Sequence, residues 1–172
     1  MELEKAKTIA SEIIRRLAPY CERVEVAGSV RRRRPTVRDI DVVLIPRDKE
    51  AVDSVLMQLG KVKMSGAKIA RVTVDLTHVI RKSESLIQLT ADTVDIDIYF
   101  ATPETWATLF LVRTGSTENN IRLCSLAKKR GWKLAANGDG LFNEYDERIA
   151  GDSEESIYEA LGIPWQEPWE RG

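Results

Sequence analysis

The sequence predicts an α+β fold, with a mixed or antiparallel sheet flanked by helices and a small α+β C-terminal lobe. Three observations carry this. Runs of β-branched and aliphatic residues are interspersed with helical periodicity through the first 100 residues. Two of the runs, Asp39 to Ile45 and Val94 to Phe100, are apolar apart from their acids, as in buried strands. After Pro103 the pattern turns to helices and a tight hairpin, which places a lobe boundary near residues 101–103.

Leu3, Ala6, Ala10, Ile13 and Leu17 recur at helical spacing, and Pro19 stops that helix. Val24 to Ala27 is a short strand ending at Gly28, and Ser29 is expected to cap a basic helical turn that ends at Pro35. The strand from Asp39 to Ile45 follows, then a helix from Lys49 to Leu59. Ile69, Val72, Val74, Val79 and Ile80 suggest hairpin strands with a turn near Ser65-Gly66. Thr105 to Arg113 and Thr117 to Arg130 read as helices broken at Thr114-Gly115-Ser116. Asn137-Gly138-Asp139-Gly140 marks a hairpin between Trp132 and Phe142. Glu154 to Leu161 is a last helix, and Ile163 to Arg171 is coil.

The 172 residues carry a net charge of −1, unevenly spread. From Glu144 to Gly172 there are nine acidic and two basic residues, which leaves 24 basic against 18 acidic elsewhere. A basic body of that kind can bind polyanions despite the neutral total. Cys21 and Cys124 match no metal or redox spacing, and a reducing compartment follows. No apolar run approaches the roughly 20 residues of a membrane span, and no signal peptide is evident. The expectation is an intracellular protein with no membrane partner.

Asp39 and Asp41 are two residues apart, so on a strand they share a face and repel. A cation relieves that repulsion. Holding two divalent cations needs a third oxygen ligand; Asp97 is the candidate, and Asp95, on the same face of its strand, is the alternative. Three convergent carboxylates suit hard cations roughly 3.5–4 Å apart, the spacing of in-line phosphoryl transfer. Two Mg2+ ions, or Mn2+, fit such oxygen donors. The competing reading, solvent-facing acids on an edge strand, is disfavoured by the apolar flanks.

Gly28-Ser29 sits where a strand gives way to a helix, a place suited to anions. Two of the four arginines Arg31 to Arg34 are expected to reach the site, their planar forks matching phosphate oxygens. A solvated basic turn is the plainer account of such a run. Arg122, Lys128, Lys129, Arg130 and Lys133 cluster on and after one helix, where phosphate contacts would give sequence-independent affinity. A soluble helix face accounts for them equally well. Trp165 and Trp169 either stack on bases or, preferably, pack the last coil. His78, the single histidine, has no partner motif and is read as structural.

Gly28-Ser29 followed by Asp39-x-Asp41 resembles the nucleotidyltransferase signature. Val24 to Arg32, Asp39 to Leu44, Val94 to Phe100, and Thr114-Gly115-Ser116 with Asn120 are similar to segments of the family X DNA polymerases, the DNA polymerase beta-like group. Trp165 to Arg171 resembles that family's aromatic-x-x-Pro-x-x-Arg ending. The resemblance implies a palm over residues 1–102 and a nucleotide- and DNA-binding lobe over 103–172. It implies that Asp39, Asp41 and Asp97 hold two magnesium ions and that Asp97 accepts or orients the primer 3′-hydroxyl proton. Ser29 and Arg32 would hold the β- and γ-phosphates, with Arg38 adding a contact. Gly28 and Thr114 belong to the same nucleotide-binding set. Gly115 would lie near the sugar, and Asn120 on the minor-groove side of the base. Arg122, Lys128, Lys129 and Arg130 would meet DNA.

Three departures stand out. Val112-Arg113 replaces the aromatic pair that lines the family's sugar pocket, so ribonucleotide discrimination is expected to differ. Arg38 stands where a glycine is common, and Asp95 where a basic residue is usual. No N-terminal helix-hairpin-helix segment precedes the palm, so 5′-deoxyribose-phosphate lyase activity is not expected. The implied activity is metal-dependent, DNA-directed addition of dNTPs to a primer 3′-end, as short gap-filling repair by a monomer on primer-template or gapped DNA. The alternatives are a nucleotidyltransferase modifying an RNA end, a protein or a small molecule, and a non-catalytic DNA-binding subunit.

Overall fold

A computed structural model describes residues 1–79 and 93–172. Strand β2 (Ile40–Pro46) is buried on both faces, so it needs a layer on each side. It runs antiparallel to β1 (Cys21–Val26) and parallel to β5 (Thr93–Phe100). Beyond β5 lie β4 (Ile69–Asp75) and β3 (Gly60–Ser65), each antiparallel to its neighbour. The result is a mixed five-stranded sheet in the order β1-β2-β5-β4-β3. It bears out the expected fold class.

One face of this sheet is apolar throughout. Ile40, Val42, Leu44, Ala70, Val72, Val74, Val94, Ile96 and Ile98 meet Ile9, Ile13 and Leu17 of α1 (Leu3–Leu17) and Val52, Leu56 and Leu59 of α3 (Lys49–Leu59). The other face is divided. Val43, Ile45 and Tyr99 pack under Trp106, Ala107, Leu109 and Phe110 of α5 (Trp106–Thr114). By strand alternation the remainder of that face carries Asp41, Asp95, Asp97, Arg71 and Thr73. Charged side chains therefore gather where α5 stops covering the sheet.

The C-terminal segment builds a second core. Leu111, Leu123, Leu134, Leu141, Ile157 and Tyr158 draw together α5, α6 (Thr117–Lys129), α7 (Glu154–Ala160) and a small antiparallel sheet. That sheet is β6 (Lys133–Ala135), β7 (Gly140–Phe142) and β8 (Arg148–Ala150). Ser116 caps α6 by accepting from Asn119 N at 3.2 Å, and Ser153 with Ser156 closes a capping box on α7. Arg171 is buried, its Nη1 donating to Glu154 at 2.8 Å and its guanidinium over the Trp165 ring. Trp165 in turn meets Tyr158 edge to face, so it packs the terminal coil rather than facing a ligand.

Several local expectations need correction. Ser29 does not cap its turn: α2 (Gly28–Arg31) begins one residue earlier, with Ala27 at the cap position. Asp39 stands one residue before β2. Val79 ends a helical turn, α4 (Leu76–Val79), where its buried side chain joins the main core; burial outweighed its strand propensity. The coil after Ile163 contains a 3-10 turn at Pro168–Glu170. Ile80 and the side chain of His78 lie outside the described residues. Among the described residues no helix is long and apolar enough to cross a membrane.

Candidate active site

Parallel pairing of β2 with β5 puts Asp41 opposite Asp97. Asp39 enters the same group from the bend before β2. Burial, then the negative charges of Asp39 and Asp97, push the Asp41 pKa up to about 7. The Tyr99 hydroxyl lies 3.4 Å from both Asp41 Oδ1 and Asp97 Oδ2, within reach of either acceptor. Burial, with the charges of Asp41 and Asp97, raises the Tyr99 pKa, so it remains a donor at neutral pH.

Each aspartate differs in its company. Asp97 is buried and accepts from Arg71 Nε and Nη2, both at 2.5 Å. Asp39 is more open and lies 3.6 Å from Arg38 Nε. Asp95 accepts from Lys63 Nζ at 2.9 Å and from Thr73 Oγ1 at 2.6 Å. Sequence reasoning left Asp95 and Asp97 as alternatives, and only Asp97 faces Asp41.

Gly28 makes the close approach possible. Its φ is +55°, and a Cβ there would lie 1.9 Å from Asp41 Oδ2. The next turn carries Ser29 and Arg32 along one wall of a cleft of about 520 Å3. Arg32 donates to the Thr114 carbonyl, and burial lowers its pKa, followed by the nearby Arg34. The opposite wall holds Val112, Arg113, Gly115, Thr117 and Asn120; Asp39, Asp41, Asp97 and Tyr99 form the floor. Gly115 has φ +71°, and a Cβ there would come within 3.0 Å of Arg32 Nη1.

Four polar atoms on these walls are buried without a hydrogen-bond partner: Ser29 Oγ, Arg32 Nε, Arg113 Nε and Asn120 Oδ1. Such atoms are uncommon in a finished interior and costly to leave unpaired. Arg113 also lies over the Tyr99 ring at 4.3 Å, and Asn120 Nδ2 donates to the Val112 carbonyl at 2.8 Å.

The other arginines of the run do structural work. Arg31 donates to Glu154 at 2.5 and 3.1 Å and to Thr114 Oγ1 at 2.7 Å, while stacking on Phe110. Arg33 lies over Trp169. Arg38 and Arg32 both line the cleft. The cations of α6 are elsewhere: Lys128 and Lys129 are exposed, Arg122 is tied to Asn119 and Gln166, and Arg130 Nη1 donates to the Ala160 carbonyl.

Residues that sequence reasoning missed are Arg71, Tyr99, Thr36 and Thr117. Tyr99 was legible in principle, two residues beyond Asp97 on one strand. Arg71 was not, because its place opposite Asp97 depends on the pairing of β4 with β5.

The oxygen donors of Asp39, Asp41 and Asp97, which line one cleft, match a hard divalent cation in chemistry. Among the described residues, however, no cluster of three His, Cys, Asp or Glu side chains stands gathered as a ready metal site. The ion pair with Arg71 already engages both oxygens of Asp97.

Residues 109–172 match the family model for the DNA polymerase beta thumb. The chain is also 28% identical over 162 residues to the DNA polymerase/3′-5′ exonuclease PolX of Bacillus subtilis (strain 168), an overlap of 92% of this chain and 26% of that protein. Both matches are to family X DNA polymerases, and the chain is similar to them over these stretches. The chain spans about a quarter of the length of that curated relative. The overlap takes in both the acidic floor of the cleft and its Thr114-to-Asn120 wall.

Proposed function

We propose that the protein is a DNA-directed DNA polymerase that adds dNTPs to a primer 3′-end by two-metal nucleotidyl transfer. In this reading residues 1–102 are the catalytic palm and residues 103–172 the nucleotide- and DNA-binding lobe. One observation carries it: a cleft with three aspartates on its floor and four unpartnered buried polar atoms on its walls. Three of those atoms are donors suited to an anionic ligand, and one is an acceptor.

Asp39, Asp41 and Asp97 would hold two magnesium ions, which supply Lewis-acid polarisation of the hydroxyl and phosphate when bound. The remaining chemistry belongs to the chain. Ser29 and Arg32 hold the β- and γ-phosphates and stabilise charge on the departing pyrophosphate. Asp97 orients the proton of the attacking 3′-hydroxyl. Gly115, lacking a side chain, leaves room for the sugar, and Asn120 meets the base. The exposed Lys128 and Lys129 add backbone contacts that weaken with salt.

Short gap filling in repair is the finer part of this proposal. The test compares gapped, nicked and primed DNA with Mg2+ or Mn2+. Template-directed extension, strongest on a short gap, is expected. Nucleotide addition that ignores the template, or transfer to a non-DNA acceptor alone, would contradict the reading.

A further inference from the structure

We propose that Arg71 is a built-in counter-cation for Asp97, and that metal loading exchanges this guanidinium for a divalent ion. The proposal rests on the metal-centre reading above and adds a residue to it.

The geometry is specific. Arg71 stands directly opposite Asp97 on antiparallel strands, and two of its nitrogens meet both carboxylate oxygens at 2.5 Å. This two-point pairing is the strongest hydrogen-bonded form that a carboxylate and a guanidinium can adopt. It leaves no oxygen of Asp97 uncommitted in the plane of the fork.

The exposures are unequal. The Asp97 side chain is 8% exposed and that of Arg71 is 45% exposed. A buried carboxylate that stays ionised needs a compensating charge. The arginine does not: it can turn outward and recover its hydration. The pair is therefore built to open from one side. Asp95, two residues along the same face, gives the displaced guanidinium a second carboxylate nearby.

Position 95 shows why the cation comes from another strand. Asp95 shares the face of Asp97, pairs with Lys63, accepts a hydrogen bond from Thr73 and is itself an acid. It can contribute only more negative charge to Asp97. Arg71 supplies the positive charge across the β4–β5 pairing instead.

Two consequences follow. Arg71 steadies the metal-free protein by neutralising Asp97, and the same contact weakens cation binding because it must be broken first. Removing the guanidinium should therefore raise metal affinity while lowering metal-free stability. A residue with only a structural role would lower stability without raising affinity.

The test uses the full chain without nucleotide. Mn2+ binding is measured by electron paramagnetic resonance or calorimetry for wild type, Arg71→Met and Arg71→Lys. Thermal unfolding is recorded in EDTA and in saturating Mn2+. Arg71→Met is expected to bind Mn2+ about tenfold more tightly. Its unfolding midpoint should fall below wild type in EDTA and return toward it with Mn2+. Arg71→Lys, with a charge but no fork, should lie between. Should Arg71→Met fail to fold in EDTA, refolding on Mn2+ addition gives the same support, and Arg71→Lys supplies the affinity. Unchanged or weaker Mn2+ binding in the folded variants overturns the proposal. Asp41→Asn is the control: its loss of Mn2+ binding is expected. If it binds as wild type does, the metal-centre reading fails, and the Arg71 proposal with it. If it loses binding while the Arg71 variants match wild type, only the Arg71 proposal fails.

Discussion

Asp41 and Asp97 stand opposite each other on parallel strands, and the charge of Asp97 opposes ionisation of Asp41. Asp41 also faces Asp39, the Tyr99 hydroxyl and Arg32. Burial and its acidic neighbours raise its pKa from 3.8 to about 7. The folded protein therefore holds this proton more tightly than the unfolded chain. Without metal, stability should fall as pH rises from about 4 to about 7 and level off above, by on the order of 4 kcal/mol. Asp41→Asn should lack that fall. Thermal midpoints in EDTA from pH 5 to 8 check this: wild type should lose ground to Asp41→Asn as pH rises. Parallel curves would count against it.

Gly28 faces the same carboxylate from the adjoining turn. A Cβ at this position meets Asp41 Oδ2 at 1.9 Å, and the residue sits at φ +55°. Gly28→Ala should cost about 1–3 kcal/mol of stability. Primer extension should fall far more steeply, because the displaced group is Asp41 itself. Denaturant unfolding and single-turnover incorporation measure the two effects separately, and wild-type kinetics in a destabilised variant would be the contrary outcome.

Glu154 joins two arginines that come from opposite ends of the chain. Arg31 reaches it from α2, and Arg171 from the terminal coil. Glu154→Gln leaves two guanidinium groups near a neutral amide, with Arg171 fully enclosed. A loss of about 3–5 kcal/mol is expected. Urea denaturation at pH 7 tests this, and a change under about 1 kcal/mol would show that Thr114 and Gln166 suffice as partners.

How much of this was legible beforehand differs by residue. Asp39 and Asp41 stood out, because two acids at strand spacing in an apolar run crowd one face and call for a cation. The same alternation left Asp97 and Asp95 as alternatives, because both fall on one face of their strand. The arginine run was ambiguous: four adjacent like charges say nothing about which one turns inward. Arg32 lines the cleft, whereas Arg31 is captured by Glu154, 123 residues away. Strand β8 is three residues long and carries no alternation to read. Arg71 required a strand register, which local pattern does not supply.

Val112 and Arg113 occupy the wall where the resemblance implies a sugar pocket. Arg113 lies over the Tyr99 ring and keeps a buried, unpartnered Nε. A donor there accommodates an additional hydroxyl, so the discrimination between dNTP and rNTP should be weak. Arg113→Phe removes the donor and should favour dNTP by about tenfold relative to wild type. The ratio of kcat/KM for matched dNTP and rNTP decides it; strong dNTP selectivity in wild type would reject the idea.

Single-nucleotide incorporation on a one-nucleotide gap, with Mg2+, comparing wild type with Asp41→Ala, bears most directly on the central claim. The expected result is a folded variant with unchanged circular dichroism and a rate reduced at least about a thousandfold. Incorporation by Asp41→Ala at the wild-type rate would place the chemistry elsewhere in the molecule.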